Sequence, residues 1–152
     1  MTYTLSIAYD KFDRISDMEL ADRELIASAR SAAEHSYSPY SHFAVGAAAR
    51  VAEGAVESAA NVESEVFPAG ICAERNLLFG VATRYPGAVV EALAVVSISN
   101  EAECYPCGVC RQTLLDVERR QGAPIRVIMA GEDSATVVES AASLLPFGFK
   151  LK

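Results

Sequence analysis

Three cysteines and one glutamate have the types and spacing that a catalytic zinc site requires. Cys107 and Cys110 are separated by two residues, a spacing at which two thiolates bind one metal ion. Cys72 supplies a third sulfur, and three protein ligands leave one tetrahedral position open for water. Glu74 follows Cys72 by two residues, so its carboxylate can carry protons at that water without binding the metal. These residues predict metal-assisted hydrolysis.

The cysteines allow two other interpretations. A Cys-x-x-Cys pair also occurs in redox proteins and in structural zinc sites. A closed structural site needs four ligands, and Cys104 is the candidate for the fourth, because His35 and His42 lie far upstream. A redox pair leaves Cys72 and Glu74 without a role. The open, three-ligand site is therefore favoured.

Length and composition predict one domain. The chain has 152 residues, of which 51% are hydrophobic, and this suffices for a buried core. We expect a single domain over residues 1–152. Residues 1–16 are expected to form an irregular N-terminal arm, because they show no clear apolar period.

The charge balance indicates the class of partner. Thirteen Lys and Arg against twenty Asp and Glu give a formal net charge of −7. Proteins that bind nucleic acid draw much of their affinity from cationic side chains on phosphates, so a small-molecule substrate is favoured over DNA or RNA. No apolar run is long enough to cross a bilayer. Four cysteines without a secretory leader favour reduced thiols in the cytoplasm.

Periodicity and helix-breaking residues predict the elements that position the cysteines. Two helices are expected to begin at Cys72 and Cys107, with nearly all-apolar strands between and after them. This order predicts an α/β fold of three layers, α/β/α, with a mixed five-stranded sheet and helices on both faces. The predicted helices span residues 17–35, 72–85, 107–121 and 140–145; the predicted strands are one that ends at residue 51 and residues 55–62, 89–98, 125–130 and 135–138.

The helix starts also suit the chemistry of the site. Three thiolates around a divalent cation leave a net negative charge, which the positive ends of two helices can offset. Arg75 either hydrogen-bonds a ligand sulfur or forms a surface ion pair. A carboxylate that both accepts and returns a proton needs a pKa near neutrality, so we expect Glu74 to be buried.

A second polar pair precedes the metal motif. Asn61 and Glu63 are two residues apart at the end of a predicted strand, so their side chains share one face. Together they can bind a diol. The alternative is a strand end with two solvated polar residues, which is common in proteins.

Five motifs follow one another along the chain: Phe43-Ala44-Val45-Gly46, Asn61-Val62-Glu63, Gly70-Ile71-Cys72-Ala73-Glu74-Arg75, Pro106-Cys107-Gly108-Val109-Cys110-Arg111-Gln112 and Leu144-Leu145-Pro146. The Cys-x-Glu and Pro-Cys-x-x-Cys pair is the pattern of zinc deaminases. From Tyr40 to Phe149 the chain resembles the cytidine deaminases of the small-subunit, three-cysteine type. The resemblance implies a cytidine deaminase-like fold and a homotetramer whose active sites lie near subunit interfaces.

The resemblance also implies roles for single residues. One Zn²⁺ per chain is expected on the three cysteines, with the glutamate between them as the proton carrier. The implied residues are Cys72, Cys107 and Cys110 for zinc, Glu74 for catalysis, Asn61 and Glu63 for ribose, Phe43, Val45, Ala73, Phe67 and Phe149 for the rest of the substrate, and Arg75 and Pro106 beside the metal ligands.

The implied activity is the hydrolytic deamination of cytidine and deoxycytidine to the uridines with release of ammonia, a step of pyrimidine salvage. Two positions depart from the family pattern: Glu65 stands where a small residue is usual, and Phe67 where a tyrosine is usual. These departures, and the Leu144–Phe149 tail, leave a deaminase of a modified cytosine compound such as blasticidin S as the alternative. A non-catalytic module stabilised by zinc is the third interpretation.

Overall fold

The computed structural model describes residues 1–151. These residues form six strands, three α-helices and three short 3₁₀ turns. The strands are β1 (Asp10–Phe12), β2 (Val45–Val51), β3 (Val56–Ala60), β4 (Val90–Ser97), β5 (Arg126–Ala130) and β6 (Ala135–Val138). The helices are α1 (Leu20–Ala33), α2 (Ala73–Arg84) and α3 (Gly108–Gln121), and the 3₁₀ turns are Ile15–Asp17, Phe67–Ala69 and Ala141–Leu144.

The six strands form one mixed sheet in the order β1-β6-β5-β4-β2-β3. Its neighbouring strands pair antiparallel except β4 and β5, which are parallel and are joined through α3. Helices cover both faces, so the predicted three-layer α/β class is confirmed. The sheet has six strands and not the five that were predicted.

The additional strand is β1, in the segment predicted to be irregular. Asp10 pairs with Val137 and Phe12 with Ala135, and a 3₁₀ turn follows over Ile15–Asp17. The prediction of an irregular arm holds for residues 1–9, which form no helix or strand. It was wrong for β1, because that strand depends on pairing with β6 more than a hundred residues later.

Two predicted helices also needed correction. The first helix begins at Leu20 and not near residue 17, because the 3₁₀ turn and an extended Met18 occupy the preceding residues. The last predicted helix is a four-residue 3₁₀ turn, Ala141–Leu144.

The two longest α-helices have 14 residues each, fewer than the about 20 that a bilayer-spanning helix needs, and within residues 1–151 there is no candidate membrane span.

Alternate residues of each central strand face different helix layers. In β2, Ala47, Ala49 and Val51 pack with α2 and α3, whereas Ala48 packs with α1. Gly46 allows α1 to lie directly against β2, since a Cβ at this position would stand 1.9 Å from the Ala29 carbonyl oxygen. The sheet therefore offers a closely packed platform on which the starts of α2 and α3 are held.

Candidate active site

The three cysteine sulfurs meet at the starts of α2 and α3. The Sγ atoms of Cys72, Cys107 and Cys110 all lie within 4.8 Å of one another, and the Cys72–Cys107 sulfur distance is 3.8 Å. Sulfurs bound at about 2.3 Å to a tetrahedral zinc ion are about 3.8 Å apart, so the donor set has the spacing that zinc requires. Within residues 1–151, no other group of three or more metal-binding side chains meets this criterion.

The helix starts position these sulfurs. Cys72 is the N-cap residue of α2 and Cys107 is the N-cap residue of α3, whereas Cys110 is buried in the first turn of α3. Helix N-termini carry partial positive charge, which stabilises thiolates there. The alternative of a closed site with Cys104 as fourth ligand, which the sequence did not favour, is not formed, because the Cys104 sulfur lies outside the group.

Arg75 supports the thiolate state of Cys72. Its Nη2 atom lies 3.7 Å from Cys72 Sγ. A hydrogen bond from Cys110 and the interaction with Arg75 lower the pKa of Cys72 to about 5, against the opposing effect of burial. The same hydrogen bond, together with burial, raises the pKa of Cys110. Of the two alternatives for Arg75, the structure has the contact with a ligand sulfur.

Glu74 lies in the first turn of α2 and its side chain is buried, with 3% of its surface exposed. Burial raises the pKa of Glu74, and the negative charge of Cys72 adds to this effect. The expectation of a buried carboxyl group with a raised pKa is therefore confirmed. Such a group can bind and release a proton near the sulfurs at low energetic cost.

A pocket of about 420 Å³ opens beside Cys72 and Arg75. Asn61, Glu63 and Phe67 also line it. It has the size of small-molecule sites, which are commonly a few hundred Å³.

The Asn61 amide has an unambiguous orientation. Its Oδ1 atom accepts from the Val45 N–H at 2.9 Å and from the Ser36 hydroxyl at 2.5 Å, and its Nδ2 atom donates to the Phe43 carbonyl at 2.8 Å. An amide nitrogen carries two hydrogens, so one donor remains for a ligand. Asn61, which lines the pocket, thus fixes the backbone from Phe43 to Val45 at the start of β2.

Glu63 is fixed through one carboxylate oxygen. Its Oε1 atom accepts from the backbone N–H groups of Tyr40 and Ser41, at 2.9 and 3.1 Å. Hydrogen bonding with Ser41 lowers the pKa of Glu63 although partial desolvation opposes it. Because a carboxylate accepts about four hydrogen bonds, Glu63 keeps acceptor capacity for a ligand.

The comparison with protein families identifies this arrangement. The family model for the cytidine and deoxycytidylate deaminase zinc-binding region matches residues 20–121, which include all three sulfurs and Glu74. The chain belongs to this deaminase family. The family resemblance seen in the motifs is confirmed, and a zinc-dependent deaminase with one zinc per chain agrees with the three-sulfur group.

Known members of this deaminase family are similar over most of the chain. A cytidine deaminase of Sporosarcina psychrophila is 33% identical over 126 residues, covering 83% of this chain and 89% of that protein. A crystal structure of cytidine deaminase from Burkholderia pseudomallei has a TM-score of 0.72 at 35% identity, and covers 83% of this chain and 97% of that chain. The cytidine deaminase of Mycobacterium tuberculosis gives a TM-score of 0.71 at 31% identity, with 88% and 100% covered.

The other residues predicted for the deaminase site fall into two groups. Phe67 lines the pocket with 71% of its surface exposed, and its ring packs edge-on against Tyr40 at a centroid distance of 5.3 Å. Phe43 is partly exposed, whereas Val45 and Ala73 are buried, and none of these three residues lines the pocket. Of these four predicted substrate residues, the structure places Phe67 in the pocket wall, and the roles of the other three stay predictions.

Phe149 and Pro106 lie away from this pocket. The Phe149 backbone is bound by Gln112 and Arg119 of α3, at 3.1 and 2.9 Å to its carbonyl oxygen, so its ring is not part of the same chain's pocket. The Pro106 carbonyl accepts from Arg111 Nε at 2.7 Å, which fixes the backbone just before Cys107.

Three features of the site were not predicted from the sequence. The Tyr40 and Ser41 backbone groups that hold Glu63, and the Ser36 hydroxyl on Asn61, are contacts between segments more than twenty residues apart. The turn Tyr37-Ser38-Pro39 was a visible signal of a bend, but it could not show that the following N–H groups point at a carboxylate. Ile71 also lines the pocket, next to the ligand Cys72.

Proposed function

We propose that this protein deaminates cytidine and deoxycytidine by hydrolysis, releasing uridine or deoxyuridine and ammonia. The observation that carries the proposal is the buried Glu74 carboxyl group beside three sulfurs that meet at zinc spacing. Family membership and relatives named cytidine deaminase support the same reaction. They do not favour the blasticidin-type alternative or the non-catalytic module.

Glu74 is proposed to move the protons of the reaction. Cys72, Cys107 and Cys110 would hold the zinc ion, which would supply Lewis acidity to activate a water molecule. A carboxylate oxygen of Glu74 accepts one proton from the attacking water and delivers it to the ring nitrogen of the base. It then carries the second proton, from the hydroxyl group added to the ring carbon, to the amine, so that the C–N bond breaks, the carbonyl forms and ammonia leaves. The burial that raises the pKa of Glu74 suits both directions of transfer.

Asn61 and Glu63 are proposed to bind a sugar hydroxyl. Asn61 has one N–H and Glu63 has acceptor oxygen capacity left over from their contacts within the chain, and both residues line the pocket. A hydroxyl group both donates and accepts, so it satisfies the two side chains at once. A pair that needs only one hydroxyl accommodates ribose and deoxyribose, which supports both nucleosides as substrates.

The protein is also proposed to be a cytoplasmic homotetramer of closed symmetry that serves pyrimidine salvage, with active sites near subunit interfaces. Phe67 is largely exposed, and Phe149 exposes 67% of its surface while its backbone is clamped to α3. Exposed aromatic side chains on fixed backbone are suited to contact another subunit. Light scattering at micromolar concentration is expected to give four times the chain mass; a monomer with full activity would exclude the tetramer.

Ammonia release and bound zinc, measured on one sample, test the proposed activity. We expect about one zinc per chain, as the three sulfurs imply, and turnover of cytidine and deoxycytidine. Turnover of only those cytosine derivatives that have altered sugars would show that the substrate is a modified cytosine compound. In that case Glu65 and Phe67 are the residues to mutate next. Bound zinc without ammonia from any cytosine compound would leave only the non-catalytic module.

A further inference from the structure

Of the two metal ligands on α3, Cys107 depends more on the preceding loop than Cys110 does. Cys110 is buried within α3, whereas Cys107 is exposed and follows a segment, residues 98–106, without helix or strand. The helical backbone of α3 therefore does not by itself fix the conformation of the residues just before Cys107. Contacts of the preceding residues must do so.

Glu103 provides an unusual concentration of such contacts. Its side chain is 5% exposed, and its two oxygens accept four hydrogen bonds. Oε1 accepts from Lys11 Nζ and from Ser134 Oγ at 2.7 Å; Oε2 accepts from Thr136 Oγ1 at 2.7 Å and from Tyr105 OH at 2.9 Å. The carboxylate thus joins β1 and β6 to the residue two before Cys107.

The backbone around Glu103 is held at both ends. The Cys104 N–H donates to the Ala130 carbonyl at 3.1 Å, which attaches the segment to β5. At the other end, Arg111 Nε binds the Pro106 carbonyl at 2.7 Å. The Glu103 carboxylate connects the segment to the edge of the sheet through Lys11, Ser134 and Thr136. The Tyr105–Glu103 bond attaches the residue two before Cys107 to that carboxylate.

Three of the four donors lie outside the region that the family model matches. That region covers residues 20–121, whereas Lys11, Ser134 and Thr136 fall before or after it. The edge strand β1, which was not expected from the sequence, is thereby linked to the metal-binding loop.

We propose that Glu103 is a positioning residue for Cys107: by binding Tyr105 to β1 and β6, it fixes the Cys104–Pro106 backbone and slows the release of zinc. The inference rests on the zinc site of the proposed function and not on the identity of the cytosine substrate. In the competing view, α3 alone places Cys107, and Tyr105 is a surface ring without influence on the metal.

Tyr105→Phe is the sharpest test, because it removes one oxygen from a ring that is 55% exposed. Tyr85→Phe is the matched control: it removes a similar Tyr–Glu hydrogen bond, of 2.7 Å to Glu57, at the far end of α2. Both zinc-loaded variants are mixed with an excess of a chromogenic chelator, and the rate of zinc release is recorded together with the melting temperature.

We expect Tyr105→Phe to release zinc about five-fold faster than the parent, the factor that corresponds to a net hydrogen bond of about 1 kcal/mol. Tyr85→Phe should release zinc at the parental rate with a similar melting temperature. Lys11→Met, which removes the cation from Glu103 at a half-exposed position, should also accelerate release. Equal release rates for both tyrosine variants would overturn the proposal. Because zinc release is read without substrate, this result is independent of whether cytidine is deaminated.

Discussion

Glu103 and Glu74 both have buried carboxyl groups, but their surroundings shift the two pKa values in opposite directions. Burial acts to raise the pKa of Glu103, but the hydrogen bonds from Lys11, Ser134, Thr136 and Tyr105 together lower it below its ordinary value of 4.5. The group is therefore held as an anion. A buried carboxylate with four donors stabilises the segments that supply them.

Glu74 forms no ion pair within the part of the chain that the structure describes, residues 1–151. Burial raises its pKa, and the neighbouring charge of Cys72 raises it further. A carboxyl group in this setting changes protonation state at low cost, which is the property of a proton carrier. The difference teaches that the fold separates a carboxylate that holds structure from the one that we propose carries protons.

Asp22, a buried acid on the opposite face of the sheet, is ion-paired as Glu103 is. Its Oδ2 atom accepts from Arg126 Nη2 at 2.8 Å and from Nε at 3.1 Å, which joins α1 to β5. Arg50 of β2 approaches its other oxygen at 3.9 Å. Glu74 is thus the exception among the buried acids.

The largest expected effect comes from removing the metal beside which Glu74 acts. Cys110→Ala deletes a buried ligand sulfur, so bound zinc and ammonia release should both fall below detection, and the protein should lose stability. Metal analysis and the ammonia assay measure this. Cys104→Ser is the control, since its buried sulfur lies outside the metal group. Loss of zinc in the control would restore the four-ligand site.

A smaller effect, on stability, is expected from Glu103→Gln. The amide keeps the size of the side chain but loses the charge that binds Lys11, and this should lower the free energy of unfolding by about 1–3 kcal/mol. Urea denaturation of the zinc-loaded proteins measures the difference. Glu101→Gln, an exposed neighbour, should stay within about 0.5 kcal/mol of the parent. If both variants unfold alike, Glu103 does not have the structural role described.

The smallest expected effect is a pH dependence of the difference in unfolding free energy between the parent and Glu103→Gln. Because the pKa of Glu103 is lowered by folding, its charge stabilises the protein above the ordinary value of 4.5, and this contribution is lost as pH falls through the lowered pKa. The gap in unfolding free energy between the parent and Glu103→Gln should therefore be constant near neutral pH and shrink in acid. A gap that widens on acidification would mean that the pKa is raised and not lowered.

Local sequence patterns were sufficient to predict most of the fold. The apolar runs at residues 89–98 and 125–130 correspond to β4 and β5, and the Cys72 and Cys107 helix starts were placed within one residue. The N-terminal strand was missed because three residues, Asp10–Phe12, carry too short a pattern, and their stability comes from β6 and Glu103. Nonlocal pairing of this kind leaves no periodic signal in the sequence.

In the candidate site, too, some features could be predicted from sequence spacing and others depend on tertiary contacts. The sequence spacing was enough to predict that Cys72, Cys107 and Cys110 meet at one metal site, because a metal ion requires a fixed geometry of its ligands. Spacing could not show that Phe149 is fixed on α3 away from the pocket, because its clamp by Gln112 and Arg119 is a tertiary contact. Nor could it separate Glu103 from Glu74, because each carboxyl group takes its character from residues distant in sequence.

Turnover by zinc-loaded Glu74→Gln tests the central claim most directly. The amide fills the same buried space but cannot carry protons, so the variant should bind about one zinc per chain and lose about two to four orders of magnitude in kcat for cytidine. Zinc analysis, circular dichroism and ammonia release on one preparation measure all three properties, with Glu101→Gln as the exposed control. A correctly folded Glu74→Gln protein that holds zinc and retains more than about a tenth of the parental kcat would contradict the claim that Glu74 is the proton carrier.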